Sequence, residues 1–391
     1  MKVSLVVSDL SSAGAGRWGG GSVRSFLLAQ ALQKLSYQVE ILGFVFGQET
    51  AVIPQSEIPV THFNGYNYPK FLLSASELLK KLDGDIIYAM RPKPTTFGLS
   101  LLQNLKTRQP IILDIDDWEM SWYGGSEKWQ YRPSPKQFYR DIFKSDGALR
   151  YPDHPLYLKF VEGMLKKANA ITIHTTFLKE RFGGTYLPNG KDTELFNPDG
   201  YNPEESRGYY GLSGYRILMF PGAPRPYKGV EDVLMALDIL NEPDLKLVIV
   251  GGSPYDDYDA QLIEKWGRWI IKLPKYPPAE MPKVVAAAHI IVVPQRNTPA
   301  ALAQFPLKLT DGMAMAKPVL STRVGDIPEI LAETGYLADP SCPQQIAAQI
   351  QLIFANVEQA REQGRKARER CLEKYSLEAM ASTLSELISR L

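Results

Sequence analysis

The hydrophobic and polar positions of this chain alternate between two signatures: short unbroken apolar runs, and longer stretches in which apolar residues recur at helical spacing. An apolar run over Val3–Val7 is followed by the Gly- and Ser-rich stretch SSAGAGRWGGGS, a helical pattern over Val23–Leu35 and a second run over Gln38–Leu42. SASELLKKL then predicts a helix, DIIYAM a strand, Thr95–Leu105 a helix, and PIILDIDDW and Ala170–Ile173 two more strands. The alternation restarts with strand Arg216–Phe220, helix Val230–Leu240, strand Leu245–Val250, helix Asp259–Trp269, strand Ile270–Leu273 and helix Met281–Ala287. HIIVVP, a helix opening at Leu307 and the strand Val319–Ser321 complete that run, and the sequence from Cys342 onward is helical. Short unbroken apolar runs separated by helices mark parallel strands buried on both faces. The predicted class is therefore α/β with two Rossmann-like domains, 1–205 and 206–391, joined by the polar, turn-rich stretch Asp199–Ser213.

Composition narrows the function without naming it. At 391 residues the chain exceeds one ordinary core, and 45% hydrophobic with 22% charged residues is globular. A net charge of +1 argues against a nucleic-acid binder. Two cysteines, Cys342 and Cys371, imply neither a disulfide framework nor a cysteine zinc site, so a cytoplasmic location is expected. MKVSLVVSDL reads as a strand rather than a leader, and the apolar stretch Val284–Pro294 is too short to span a bilayer.

Candidate chemistry sits at the strand ends. The glycine loop, with Gly19, Gly20 and Gly21, lets backbone approach a ligand at a helix start, although its spacing is not the dinucleotide fingerprint. Asp116 and Asp117 follow the strand Ile111–Leu113, where an open parallel sheet binds ligands. Arg225 and Lys228 precede the helix Val230–Leu240, a combination suited to a diphosphate. A further helix start lies after Phe305-Pro306, at Leu307 and Lys308, with Asp311 one turn on and Glu329 opening a later helix. Between Trp118 and Lys167 aromatic residues mix with Lys and Arg, which leaves contact with a sugar or a membrane surface open.

FPLKLTDGMAMAKPVLST followed by VGDIPEIL resembles the nucleotide-sugar motif of the group 1 glycosyltransferases, a retaining family of GT-B fold. YLPNGKDTELFNP resembles the same family at Pro188, Asn189, Gly190, Asp192, Phe196 and Pro198. The resemblance covers most of the chain, with the motifs in family order. It implies two Rossmann-like domains facing across a cleft, with a final helix of about 376–391 packing back on the first. It also implies a nucleoside diphosphate sugar as co-substrate, UDP-sugar first and GDP-sugar next, with no cofactor or metal required. The acceptor it implies is a carbohydrate or lipid-linked one, at the inner face of a membrane if lipid-linked, in surface polysaccharide or glycolipid assembly. Donor contacts would come from Gly19, Gly20, Gly21, Arg225, Lys228, Phe305, Leu307, Lys308, Asp311 and Glu329, and catalytic help from Asp116, Asp117, Arg225 and Lys228.

Two positions depart from the family pattern. Ala303 stands where an acid usually engages the sugar, and Pro306 stands where a glycine offers an N–H. Either Gln304 or Arg296 replaces the contact, or the sugar differs, or activity is reduced. The competing expectations are a partner subunit that binds nucleotide sugar with little or no transfer, and a metal-dependent GT-A enzyme using Asp114-Ile115-Asp116-Asp117.

Overall fold

The computed structural model describes residues 1–11, 22–47, 58–252 and 256–391. The chain resolves into two compact units, Met1–Pro188 with Met380–Leu391, and Asn189–Ala379.

The first unit is built on seven strands: β1 (Lys2–Val7), β2 (Gln38–Phe46), β3 (Val60–Gly65), β4 (Ile86–Met90), β5 (Ile111–Ile115), β6 (Ala170–Ile173) and β7 (Thr185–Tyr186). Their order is β3-β2-β1-β4-β5-β6-β7, every neighbouring pair parallel. The central strands IIYAM and IILDI are buried at every position, which requires cover on both faces. Helix Ser22–Lys34 supplies part of it through Leu28, Ala31 and Leu32. The last helix, Leu377–Ile388, places Met380, Ala381, Leu384 and Ile388 in the same core as Leu5, Leu32 and Leu187.

The second unit repeats the plan with β8 (Arg216–Pro221), β9 (Leu245–Val250), β10 (Ile270–Leu273), β11 (Ile290–Val293), β12 (Val319–Thr322) and β13 (Tyr336–Ala338). Their order is β10-β9-β8-β11-β12-β13, again parallel throughout. Alternate residues feed opposite cores: Ile217, Met219, Val248 and Ile291 on one face, Leu218, Phe220, Leu247 and Ile290 on the other. In both units strand order reverses beside the first strand, between β1 and β4 and between β8 and β11. Ligands of open parallel sheets bind at the carboxyl ends of the strands at that reversal.

The stretch Asp199–Ser213 is not a linker. Asn202 caps the helix Pro203–Tyr209 by accepting from the Glu204 N–H at 2.9 Å, and Arg207 is buried, donating to the Ala287 carbonyl at 3.2 Å. The segment belongs to the second unit, because its helix docks a buried guanidinium there. Among the described residues no helix is long and apolar enough to cross a membrane.

Candidate functional site

The reversal point of the second sheet gathers three of the expected cations. β8 ends at Pro221 and runs into Gly222–Gly229, while β11 runs into the loop that starts the helix Leu307–Ala314. Gly222 has φ +145°, and a Cβ there would stand 2.9 Å from Lys308 Cε, so the Lys308 side chain lies against bare backbone. Its ammonium sits 4.9 Å from the centre of the Phe220 ring. Lys228 Nζ donates to the Ala223 carbonyl at 3.0 Å, and Arg225 pairs with Asp256 at 2.6 Å. The two loops are locked together: a Cβ on Gly229, at φ +67°, would collide with the Pro294 carbonyl, and the Arg296 N–H donates to the Tyr227 carbonyl at 2.9 Å.

Burial and mutual repulsion work against the positive charges of this cluster. Burial, then Lys308 and Arg225, push Lys228 down to about 6. Burial also lowers Lys308, against a smaller opposing pull from Asp311. Among the described residues neither ammonium has a carboxylate in ion-pair contact. The first intrahelical bond of Leu307–Ala314 runs from the Leu309 N–H to the Pro306 carbonyl at 2.8 Å. The earlier N–H groups, of Leu307 and Lys308, lie at the positive end of the helix dipole.

The remaining second-unit candidates are placed differently. Asp311 is ion-paired to Lys191, a partner absent from the expected set. Phe305 is a core residue whose ring lies 6.1 Å from Tyr375. Glu329 is exposed, and its backbone carbonyl accepts from Arg370 at 2.6 Å. Ala303 is wholly buried. The two residues that could have replaced its acid are engaged elsewhere. Arg296 grips Asp232 through two bonds of 3.0 and 2.7 Å and also contacts Glu231, and Gln304 accepts from the Tyr227 hydroxyl at 3.2 Å.

In the first unit Gly19, Gly20 and Gly21 lie outside the described residues. Asp116 and Asp117 are both buried in an ionic network at the carboxyl ends of β4 and β5. Arg91, which sequence reasoning missed, holds Asp116 through Nε at 2.6 Å and Nη2 at 3.3 Å, and Glu119 through Nη1 at 2.8 Å. Its backbone is left-handed, φ +70°, a conformation that costs a non-glycine residue. Lys93 extends the network to Glu119 at 3.3 Å and Asp153 at 3.8 Å. Burial opposes the charge on Asp116, but Arg91 outweighs it and holds the group below the usual carboxylate range. Asp117 is farther from Arg91, 3.9 Å, and burial pushes it up to about 6. The signal for Arg91 and Lys93 was the basic stretch Arg-Pro-Lys-Pro directly after β4.

The Asp-rich segment is therefore ion-paired rather than open to a cation. Arg24 takes both oxygens of Asp114, at 2.7 and 2.8 Å, and Arg91 both of Asp116. Among the described residues no three His, Cys, Asp or Glu side chains converge as a metal site.

Residues 215–356 match the family model described as Glycosyl transferases group 1. A GDP-mannose-dependent alpha-(1-6)-phosphatidylinositol monomannoside mannosyltransferase from Mycolicibacterium smegmatis is 26% identical over 57% of this chain and 62% of its own length. A D-inositol 3-phosphate glycosyltransferase from Corynebacterium urealyticum is 24% identical over 98% of this chain and 94% of its own length. In the first relatives the match spans from 41% to 62% of their length. Among solved structures, HepE from Anabaena in complex with UDP and glucose superposes with a TM-score of 0.74 at 16% identity, covering 100% of both chains. That likeness shows the fold, two Rossmann-like domains of the GT-B type.

Proposed function

We propose, from the match of residues 215–356 to the group 1 glycosyltransferases, that the protein transfers a sugar from a nucleoside diphosphate sugar to a carbohydrate or glycolipid acceptor. The observation that carries the reading is the pair Lys228 and Lys308, held beside Arg225 at the β8/β11 reversal with no carboxylate in ion-pair contact with either among the described residues. Two crowded ammonium groups are costly unless an anion completes the site. A diphosphate does so. It gains negative charge as the anomeric bond breaks, so these cations and the Leu307 and Lys308 N–H groups stabilise the departing group more than the ground state. Because side chains supply the counter-charge, transfer is proposed to be metal-independent, and by family resemblance to retain configuration. UDP-sugars are the first donors to test, since HepE was solved with UDP, and GDP-mannose the second, from the M. smegmatis relative.

The acceptor is proposed to be bound by the first unit, with Asp117 the candidate to orient it, since Arg91 occupies Asp116. A lipid-linked acceptor is supported by the helix Pro135–Phe143, which is turned inside out. Its Asp141 is buried, accepting from the Tyr131 hydroxyl and Gln137 Nε2 at 2.7 Å each, while Phe138, Tyr139, Ile142 and Phe143 are exposed on one side. Exposed Lys136, Arg140 and Lys144 flank them, the pattern of a helix lying on an anionic bilayer. Such contact would place the protein at the cytoplasmic face of a membrane. Sedimentation with anionic vesicles, lost in Phe138→Ser/Phe143→Ser, supports this; equal sedimentation of both proteins removes it.

A second reading is favoured by one observation. With Ala303 buried and Arg296 and Gln304 engaged elsewhere, nothing at those positions replaces the missing acid, which suits a subunit that binds nucleotide sugar without efficient transfer. Calorimetric titration with UDP, GDP, UDP-glucose and GDP-mannose, each with and without EDTA, tests the donor site. Binding that survives EDTA and is lost in Lys228→Ala supports it; binding that needs a divalent cation, or none at all, overturns it. Release of nucleotide from the bound donor in the presence of acceptors then separates the enzyme from the subunit.

A further inference from the structure

The second unit carries another built cavity, at the opposite end of its sheet. About 300 Å³ opens beside the amino-terminal ends of β11 and β12, with an apolar floor that includes Met315, Ile353 and Phe354. Its charged lining is Arg207, Lys317, Arg361 and Arg365, and among the described residues no Asp or Glu lines it. The carboxylates that meet these cations, Glu204, Glu358 and Glu362, sit outside, 80%, 85% and 40% exposed. Lys317 Nζ donates to the Ala286 carbonyl at 2.6 Å, held at the wall by neutral backbone, while Arg207 donates Nη1 to the Ala287 carbonyl at 3.2 Å and Nε to Glu204 at 3.3 Å.

Two further features show that the wall is shaped. Ala316, immediately before Lys317, is left-handed at φ +52°, a strain a non-glycine residue bears only where its surroundings impose it. Helix Val357–Lys374 imposes it by packing Gly364 against the Ala316 carbonyl, where no Cβ would fit. His289 accepts the Ile217 N–H on Nδ1 at 3.0 Å, which leaves its ring proton on Nε2. Burial, then Arg207 and Lys317, keep that ring neutral, down to about 4, so it can donate a hydrogen bond without adding charge.

We propose that this cavity binds a phosphomonoester dianion carried on a ring or short apolar body. The phosphate meets Lys317, which among the described residues has no carboxylate in ion-pair contact, beside the His289 ring N–H and the Arg207 guanidinium; the rim arginines add donors in a fork that fits phosphate oxygens; the apolar floor takes the body. Inorganic phosphate would leave the floor exposed. The site is separate from the donor site, but the helix Leu307–Ala314, roughly 12 Å long, has its first turn at Lys308 and leads into the cavity wall at Met315–Lys317.

The test is calorimetric titration of the full chain with phenyl phosphate, inorganic phosphate and benzyl alcohol. Phenyl phosphate is expected to bind at least about tenfold more tightly than either fragment. Lys317→Met, and separately Arg361→Gln/Arg365→Gln, whose side chains are exposed and carry little of the fold, are each expected to weaken it by about tenfold or more. Lys228→Ala leaves it unchanged. Equal affinity in the Lys317→Met and double-glutamine variants, competition by UDP, or no binding by about 10 mM overturns the proposal.

Discussion

Lys191 and Asp311 form an ion pair within the second unit, and the Lys191 ammonium also lies 3.4 Å from the centre of the Phe196 ring. Lys191 is pinned by its backbone, which donates to the Tyr375 carbonyl at 2.7 Å and accepts from the Leu377 N–H at 3.0 Å. The Asp311 carboxylate, one of the expected donor contacts and an acceptor suited to ribose hydroxyls, is thus oriented by a cation before any ligand arrives. Asp311→Asn is expected to weaken UDP binding by about tenfold, roughly 1.4 kcal/mol, while leaving inorganic pyrophosphate binding unchanged. Parallel titrations with the two ligands check this. Equal losses for both would mean that Asp311 supports the fold of the site rather than the nucleoside.

Lys228 should show opposite effects on stability and binding. Removing a crowded, half-buried ammonium relieves its desolvation and its repulsion from Lys308 and Arg225. Lys228→Met is expected to raise the melting temperature of the free protein by about 2–4 °C, the equivalent of roughly 1 kcal/mol in a unit of this size. The same variant should lose about a hundredfold in UDP affinity, ~2.7 kcal/mol. A variant that melts lower and binds normally would show that Lys228 is structural.

Proton uptake follows from the same residue. Folded Lys228 holds its proton only below about 6, whereas its ordinary value is 10.5. Between these values the unfolded chain binds more protons, so the stability cost of Lys228 is fully present below pH 6 and fades as pH rises toward 10.5. A bound diphosphate restores the charge. At pH 8, UDP binding should take up close to one proton, seen as a difference in binding enthalpy between Tris and HEPES buffers that disappears in Lys228→Met. Buffer-independent enthalpy in the unaltered protein contradicts the assignment.

What the sequence made legible follows burial. Central strands such as β4, β5 and β11 appear as unbroken apolar runs because both faces are covered. β3, β7 and β13 gave no such run, and all three are edge strands with few buried positions. The cations that line up with their own loop, Arg225, Lys228 and Lys308, were visible from position alone. Arg91 was not, because its partners Asp116 and Glu119 lie 25 and 28 residues away, and neither was Lys191, 120 residues from Asp311. Pairings of that range are created by sheet topology, which places the ends of β4 and β5 side by side. The linker reading of Asp199–Ser213 failed because polar composition cannot reveal that one arginine in it is buried.

The Arg91 network predicts a pH signature. Arg91→Met leaves Asp116, Asp117 and Glu119 buried, with Lys93 still paired to Glu119 at 3.3 Å, a loss expected to cost about 3–5 kcal/mol at neutral pH. In the unaltered protein Asp116 is held below its usual range, so its contribution is present at neutral pH and is lost only in acid. Without Arg91, burial raises Asp116, as it already raises Asp117. The folded variant then binds more protons than the unfolded chain above the ordinary carboxylate range, so its stability falls as pH rises from there toward neutrality. Denaturant unfolding should therefore find Arg91→Met closest to the unaltered protein near pH 5 and farthest from it at pH 7. Adding Asp116→Asn should recover part of the loss at pH 7. A cost below about 1 kcal/mol, or one independent of pH, would mean that solvent rather than Arg91 neutralises these carboxylates.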